Sequence, residues 1–372
     1  MLKSNAKKPV EYGFAQSCSF YMIAVVVTLV CQGVAAVVAA ALAKTYPDIA
    51  SSGEFNTAFM IVFQLANLAF IVLYTRLKNH RLNFSYLKRG DEGVKPSHII
   101  VPVVASAALM AAMFLPVTWY GYFTTAIGIP EDAGMIENTV GSVTMVVIAS
   151  VFLAPICEET IYRGVLLHGL RSEYSAVKAA LLSSLAFMLM HMSPLQVVLQ
   201  FALGALSAAI ALKSGRLLPS IILHACSNAL ALVIQFTPLY GVLDSCVVWL
   251  TQNVAAAFFI TLGLFAGGGA LLFTLVAFGF DGGAKKLFNR LFRRDKGEAQ
   301  KSSEVAEQGA GAVPTAQAEQ TDGAAVGGEL VNAERERIMN DARKKSGVFS
   351  YIVGITICVV MFVVNLVSLI VL

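Results

Sequence analysis

Charge is scarce in this chain. Lys, Arg, Asp and Glu make up 13% of its 372 residues, about half the fraction usual for a soluble protein. A soluble protein built round one large core is excluded, because the apolar residues gather in blocks of about 20 or more, enough to cross a bilayer. Paired cysteines are also lacking. Cysteines 18, 31, 157, 226, 246 and 358 fall mostly within apolar runs, with no CxxC and no recurring spacing, so neither a disulfide framework nor a thiolate metal site is indicated. There is no HExxH motif and no internal repeat. The first apolar block, from about Cys18, is long enough to span and lacks a small-residue cleavage site, so no cleavable signal peptide is expected.

What is present is an all-α, polytopic membrane helix bundle. Membrane helices are expected at about 18–43, 56–76, 98–121, 141–171, 176–192, 195–213, 217–236, 253–280 and 348–372, an eight-helix core plus one C-terminal transmembrane helix. Loop charge sorts by side. Lys3, Lys7, Lys8, Arg76, Lys78, Arg81, Lys88, Arg89, Lys95, Arg171, Lys178, Lys213, Arg216 and the run KKLFNRLFRR fall on one side, and Glu131, Asp132 and Glu137 on the other. The positive-inside rule makes the basic side cytoplasmic, with the N-terminus inside and the C-terminus outside.

Residues 1–280 form the core, with the informative motifs within 141–236. Residues 281–347 are rich in Ala, Gly, Glu and Gln, with almost no aromatics after Phe292, and read as a cytoplasmic disordered linker. Its last part, ELVNAERERIMNDARKKSG, can form a charged helix leading into a membrane anchor at 348–372. Gly263 with Gly267, and Gly204 with Ala208, have the small-xxx-small spacing of close helix packing.

The segment CEETIYRG (157–164) breaks the apolar pattern. A charged side chain at mid-bilayer costs about 2.5–3.5 kcal/mol on translocon scales, so Glu158 and Glu159 need a reason. Glu159 and Arg163 are four apart, share a helix face and can pair. Glu158 points about 100° away and has no local cation. Two neighbouring carboxylates in a poorly hydrated site do not both ionise readily, which suits one of them to take a proton from water and return it. Pro155 cannot bond the carbonyl of Val151, so the helix should loosen there and admit water beside Glu158. Two further pairs follow at helical spacing: Phe187 with His191, and His224 with Asn228. His and Asn can hydrogen-bond across a bundle or donate to an oxyanion. Glu158 and His191 lie about 15 and 16 residues from the turn between their helices, hence at similar height. His224, soon after Pro219, is near the start of its own helix. For the three to meet, the helices of Glu158 and His191 must project beyond that of His224.

The ordered motifs EETIYR (158–163), FMLMH (187–191) and HACSN (224–228) resemble those of the CPBP family of intramembrane glutamic endopeptidases. That family includes type II CAAX prenyl endopeptidases and bacterial proteins linked to bacteriocin processing or self-immunity. The resemblance implies that Glu158 activates water, assisted by His191. His224 and Asn228 would stabilise the oxyanion, Glu159 and Arg163 would orient the base, and Phe187 would pack in the wall of the substrate site. It implies no cofactor, a membrane-embedded or lipidated peptide or protein as substrate, the lipid bilayer as setting, and no nucleic-acid partner. The breadth of the family points to a bacterial plasma membrane.

Alternatives stand beside this. Glu158, His191 and His224 match the two-His, one-Glu ligand set of a catalytic zinc site, although the sequence shows no carboxylate partner to support either His. The same cavity can serve a non-catalytic immunity or scaffold protein that binds a membrane peptide. A transporter is disfavoured, since the polar groups cluster instead of forming a path and no repeat is present.

Overall fold

The computed structural model describes residues 12–50, 52–78, 93–129, 138–280 and 323–371. They form helices and no strand element: α1 (Phe14–Ala43), α2 (Gly53–Leu77), α3 (Ser97–Ala126), α4 (Val140–Glu173), α5 (Ala176–Met190), α6 (Val197–Ser214), α7 (Leu218–Phe236), α8 (Leu239–Gln252), α9 (Val254–Phe278) and α10 (Gly323–Val371), with one extra turn at Pro47–Ala50. Among the described residues eight helices are long and apolar enough to cross a membrane; α5 is apolar but shorter. The fold is the expected all-α polytopic bundle.

Contacts at the helix ends show the alternation. The Tyr12 hydroxyl lies 3.2 Å from Thr75 Oγ1, placing the start of α1 beside the end of α2. His98 stacks on Phe280 at 6.0 Å, placing the start of α3 beside the end of α9. Lys344 pairs with Glu173 at 2.8 Å, joining α10 to the end of α4. At the opposite end Thr139 donates to Glu54 at 3.2 Å, bringing the starts of α2 and α4 together. Of the loop residues used for sidedness, the N-terminal lysines, Arg81, Lys88, Arg89, Glu131, Asp132, Glu137 and the run at 285–294 lie outside the described residues.

Two expectations are corrected, on the number of helices and on the glycine pairs. Helix α8 was not anticipated: at 14 residues, with Asp244 inside it, it is too short to span and escapes a search for membrane segments. The charged segment before the last span is one helix with it, continuous from Gly323 to Val371, because nothing between Glu336 and Val348 interrupts helical pairing; residues 281–322 of the linker lie outside the described residues. The glycine pairs also differ. A Cβ at Gly263 or Gly267 meets nothing within 4 Å, so that pair packs against no helix among the described residues; a Cβ at neighbouring Gly268 would come 3.2 Å from the Ala112 backbone on α3. Gly204 does pack as expected: a Cβ there would lie 3.2 Å from both Phe187 and Ser184 on α5. That close approach of α5 and α6 builds the floor of the site.

Helix α5 has 15 residues, about 22 Å at 1.5 Å per residue, less than the hydrocarbon thickness of about 30 Å. It ends inside the bundle in a tight turn. Met192, buried there, has φ +50°, a left-handed conformation that costs an L residue about 1–2 kcal/mol. The Tyr120 hydroxyl donates to the Pro194 carbonyl at 2.7 Å, six residues before α3 ends. The turn therefore lies short of the end of α3, and α5 is the helix too short to span.

Candidate active site

The site begins with the broken geometry of α4. Its hydrogen bonding widens to π-type over Val147–Leu153, returns to α over Ala154–Glu159, and widens again over Thr160–Leu167. The Ala154 N–H donates to the Ala149 carbonyl, five residues back. In that register the next donor in line is Pro155, which has no N–H, and the carbonyl it leaves is that of Ser150. This corrects the expectation for Val151, which assumed the four-residue register. Asn228 on α7 supplies the missing donor: its Nδ2 gives a hydrogen bond to the Ser150 carbonyl at 2.7 Å. The π-type turns carry the loosening that proline was expected to bring.

Glu159 and Arg163 are fully buried and paired, Arg163 Nη1 to Glu159 Oε1 at 3.0 Å. The other guanidinium nitrogen, Nη2, donates to the Gly204 carbonyl at 2.9 Å. The guanidinium lies 4.4 Å above the Phe187 ring, a cation–π contact. His224 Nδ1 also approaches Glu159 Oε1, at 3.0 Å, and since the carboxylate accepts, Nδ1 carries the proton. Glu159 thus joins α4 to α7 and, through Arg163, to α6. A buried charge needs such partners, since breaking one pair costs about 3–5 kcal/mol.

Glu158 faces elsewhere. Gln64 on α2 donates to its Oε1 at 3.3 Å. Its Oε2 has no hydrogen-bond partner among the described residues, and His191 Nε2 and His224 Nε2 each lie 4.0 Å from that oxygen. Side-chain exposure separates the two carboxylates, 18% for Glu158 against 0% for Glu159. His191 Nδ1 donates to the Phe187 carbonyl at 2.9 Å, which turns Nε2 towards Glu158. Two atoms 4.0 Å apart can both bond one water at about 2.8 Å.

Six of the seven sequence-predicted site residues are in mutual contact in this cluster; Asn228, one turn after His224 on α7, bonds instead to the Ser150 carbonyl. Two take different contacts from those expected. Phe187 is fully buried and packs edge-on against His191 at 4.8 Å and His224 at 5.6 Å. It is a platform for the imidazoles and the guanidinium, not a surface open to substrate. Asn228 has one amide hydrogen committed to Ser150, leaving the second for other use. Sequence reasoning missed Gln64, Gly204 as a carbonyl ligand, Tyr120, and Asn67, whose buried Oδ1 has no partner among the described residues. Gln64 and Asn67 had a legible signal: two amides three apart within IVFQLANLAF need partners in an apolar setting.

The zinc alternative is altered by the geometry. Contrary to expectation, both imidazoles have the support that metal-binding His usually has, the Phe187 carbonyl and the Glu159 carboxylate on their Nδ1 atoms. The separations of 4.0 Å are wider than the roughly 3.3 Å between ligands of a tetrahedral zinc with bonds of about 2.0 Å. Among the described residues no group of three His, Cys, Asp or Glu is set to hold a metal ion.

Residues 140–230 match the family model of type II CAAX prenyl endopeptidase, Rce1-like. It is the family that the three motifs resemble. All seven motif residues from Glu158 to Asn228 fall inside the matched segment, while α1 to α3 and α8 to α10 lie outside it. No curated protein and no solved structure matches the chain. The match supports a hydrolase of the protease class and an integral membrane protein.

Proposed function

We propose that this protein is an intramembrane endopeptidase that hydrolyses a peptide bond in a membrane-associated peptide or protein, with Glu158 as general base. The observation that carries the reading is the division of labour between the two carboxylates. Glu159, fully buried, gives its Oε1 to both Arg163 and His224, whereas Glu158, 18% exposed, turns its Oε2 towards two imidazole nitrogens at 4.0 Å; the Oε2 atoms of both carboxylates lack a hydrogen-bond partner among the described residues.

The chemistry follows from that geometry. A water bonded to Glu158 Oε2 and His191 Nε2 gives its proton to Glu158 as its oxygen attacks the scissile carbonyl carbon. The carbonyl oxygen takes the negative charge. His224, held by Glu159 through Nδ1, and the free amide hydrogen of Asn228 are the groups that stand to stabilise it. Collapse breaks the C–N bond, and Glu158 returns the proton to the leaving amine. Water, one peptide bond, one new carboxyl and one new amine balance.

In this reading that end of the bundle is cytoplasmic and the N-terminus inside, a sidedness that Arg171, Lys178, Lys213 and Arg216 favour by the positive-inside rule. The family resemblance favours a lipidated or plain peptide substrate and a bacterial plasma membrane. A second reading keeps zinc at Glu158, His191 and His224, favoured by the filled Nδ1 atoms of both imidazoles. Cleavage of quenched membrane peptides by wild type and Glu158→Gln, with and without chelator, separates the readings. Metal-free chemistry expects activity that survives chelation and is lost in the variant. Loss on chelation restored by zinc selects the second. Peptide binding without cleavage, unchanged in Glu158→Gln, selects the non-catalytic immunity or scaffold role.

A further inference from the structure

The C-terminal helix α10 lies outside the matched segment, and its sequence reads as a plain anchor. Its contacts say more. It runs parallel to α1, with Ser350 Oγ 3.3 Å from Ser19 Oγ and Cys358 Sγ 3.7 Å from the Tyr21 hydroxyl. A Cβ at Gly354 would lie 2.7 Å from the Tyr21 ring, so the absence of a side chain admits that ring. The same helix holds α5 and the segments on either side of it. Lys344 pairs with Glu173 just before it, the Tyr351 hydroxyl donates to the Leu182 carbonyl at 2.9 Å, and Asn365 Nδ2 donates to the Met192 carbonyl at 2.6 Å.

The last contact reaches the site. Asn365 is the only amide side chain in the span 348–372, and an amide in an apolar helix seeks a partner. Its partner is the carbonyl of the residue directly after His191, the one with left-handed backbone. A strained residue persists only where its surroundings over-determine it. Here two polar side chains from different helices do so, Asn365 at Met192 and Tyr120 at Pro194. The turn they grip begins directly after His191, whose Nδ1 is bonded to the Phe187 carbonyl and whose Nε2 faces Glu158.

Resting on the endopeptidase reading, we propose that Asn365 is a positioning residue for His191, and that α10 is a working part of the site. Release of α10 leaves substrate contacts intact but lets the turn relax and His191 swing from Glu158. The role is tested on the full chain in two steps. First, Ser19→Cys with Ser350→Cys, in a Cys18→Ser background with a protease site in 281–322, reports docking. The expected result is a disulfide that holds the two fragments together in native membranes; fragments that separate without reductant overturn the docked helix.

Second, Asn365→Leu is expected to lower kcat about 10-fold while KM stays within about two-fold, since small misplacement acts on the chemical step. Asn365→Gln, which keeps a donor, is expected to recover most of the rate, and Tyr120→Phe to show the same kcat-selective loss. Unchanged kcat in Asn365→Leu, or an equal loss in Asn365→Gln, overturns the proposal. If wild type cleaves nothing, the endopeptidase reading fails separately. The clamp is then judged by maleimide labelling of Ser193→Cys in a background whose other accessible cysteines are serine. Faster labelling in Asn365→Leu supports the clamp, and equal rates overturn it.

Discussion

His224 Nδ1 lies 3.0 Å from Glu159 Oε1, the same oxygen that receives Arg163 Nη1 at 3.0 Å. One carboxylate oxygen therefore ties α4 to α7 directly and to α6 through the guanidinium on the Gly204 carbonyl. The neighbouring carboxylate, one residue earlier, has neither contact and accepts instead from Gln64 at 3.3 Å. Adjacent identical residues acquire different partners because successive helical side chains point about 100° apart, one towards Arg163 and His224 Nδ1, the other towards Gln64 and the Nε2 atoms of His191 and His224.

Removing Glu159 should harm folding more than removing its whole network. Glu159→Leu leaves Arg163 buried without its carboxylate, and a loss of about 3–5 kcal/mol is expected. Glu159→Leu combined with Arg163→Met removes both charges and is expected to unfold at a higher temperature than the single variant, while remaining inactive. Thermal unfolding in detergent measures the order; a double variant less stable than the single contradicts it.

Asn228 should show its structural role through Pro155. Asn228→Leu strands the Ser150 carbonyl, with an expected loss of about 1–3 kcal/mol. Pro155→Ala supplies a backbone N–H in the register that Ser150 needs. In the Asn228→Leu background it is expected to recover stability but not turnover, because the oxyanion donor is still missing. A thermal melt and a cleavage assay on the four proteins of the cycle distinguish the two contributions.

Gln64 is expected to act on turnover. Gln64→Leu removes the donor to Glu158 Oε1, leaving the carboxylate free to rotate, and kcat should fall about 10-fold with little change in KM. Steady-state kinetics on one peptide substrate is the check, and a rise in KM with unchanged kcat would point instead to a substrate contact.

Gly204 should tolerate no side chain of any size. Gly204→Val places carbon against Phe187 and Ser184, already 3.2 Å from a Cβ, so α5 must move from α6 and the Arg163 anchor with it. Overpacking of this kind costs about 1–3 kcal/mol, and activity should drop with the melting temperature. Gly204→Ala is expected to be milder on both readouts.

Much of this arrangement was legible in the chain. The apolar blocks gave the spanning helices, and the four-residue spacings put Glu159 with Arg163, Phe187 with His191 and His224 with Asn228 on shared faces. Contacts between helices were not legible. Spacing within α4 cannot say that both carboxylates reach His224 on α7, Glu159 at Nδ1 and Glu158 towards Nε2, nor that Asn228 reaches Ser150. The freed carbonyl was misplaced by one residue because a π-type register leaves no period in so short a segment. Amides were underread throughout: Gln64, Asn67 and Asn365 carry no formal charge, so a search for charged groups in apolar runs passes them by. The short helix α8 was hidden for a similar reason, being neither long enough to span nor polar enough to mark a loop.

The central claim is that Glu158 activates water, and Glu158→Gln tests it most directly. The variant keeps size and the contact with Gln64 but cannot take a proton. Purified wild type and variant, both folded by thermal melt and supplied with the same membrane peptides in chelator, should differ by at least about 100-fold in cleavage rate. A variant that cuts as fast as wild type would contradict the account and leave the carboxylate pair a structural device.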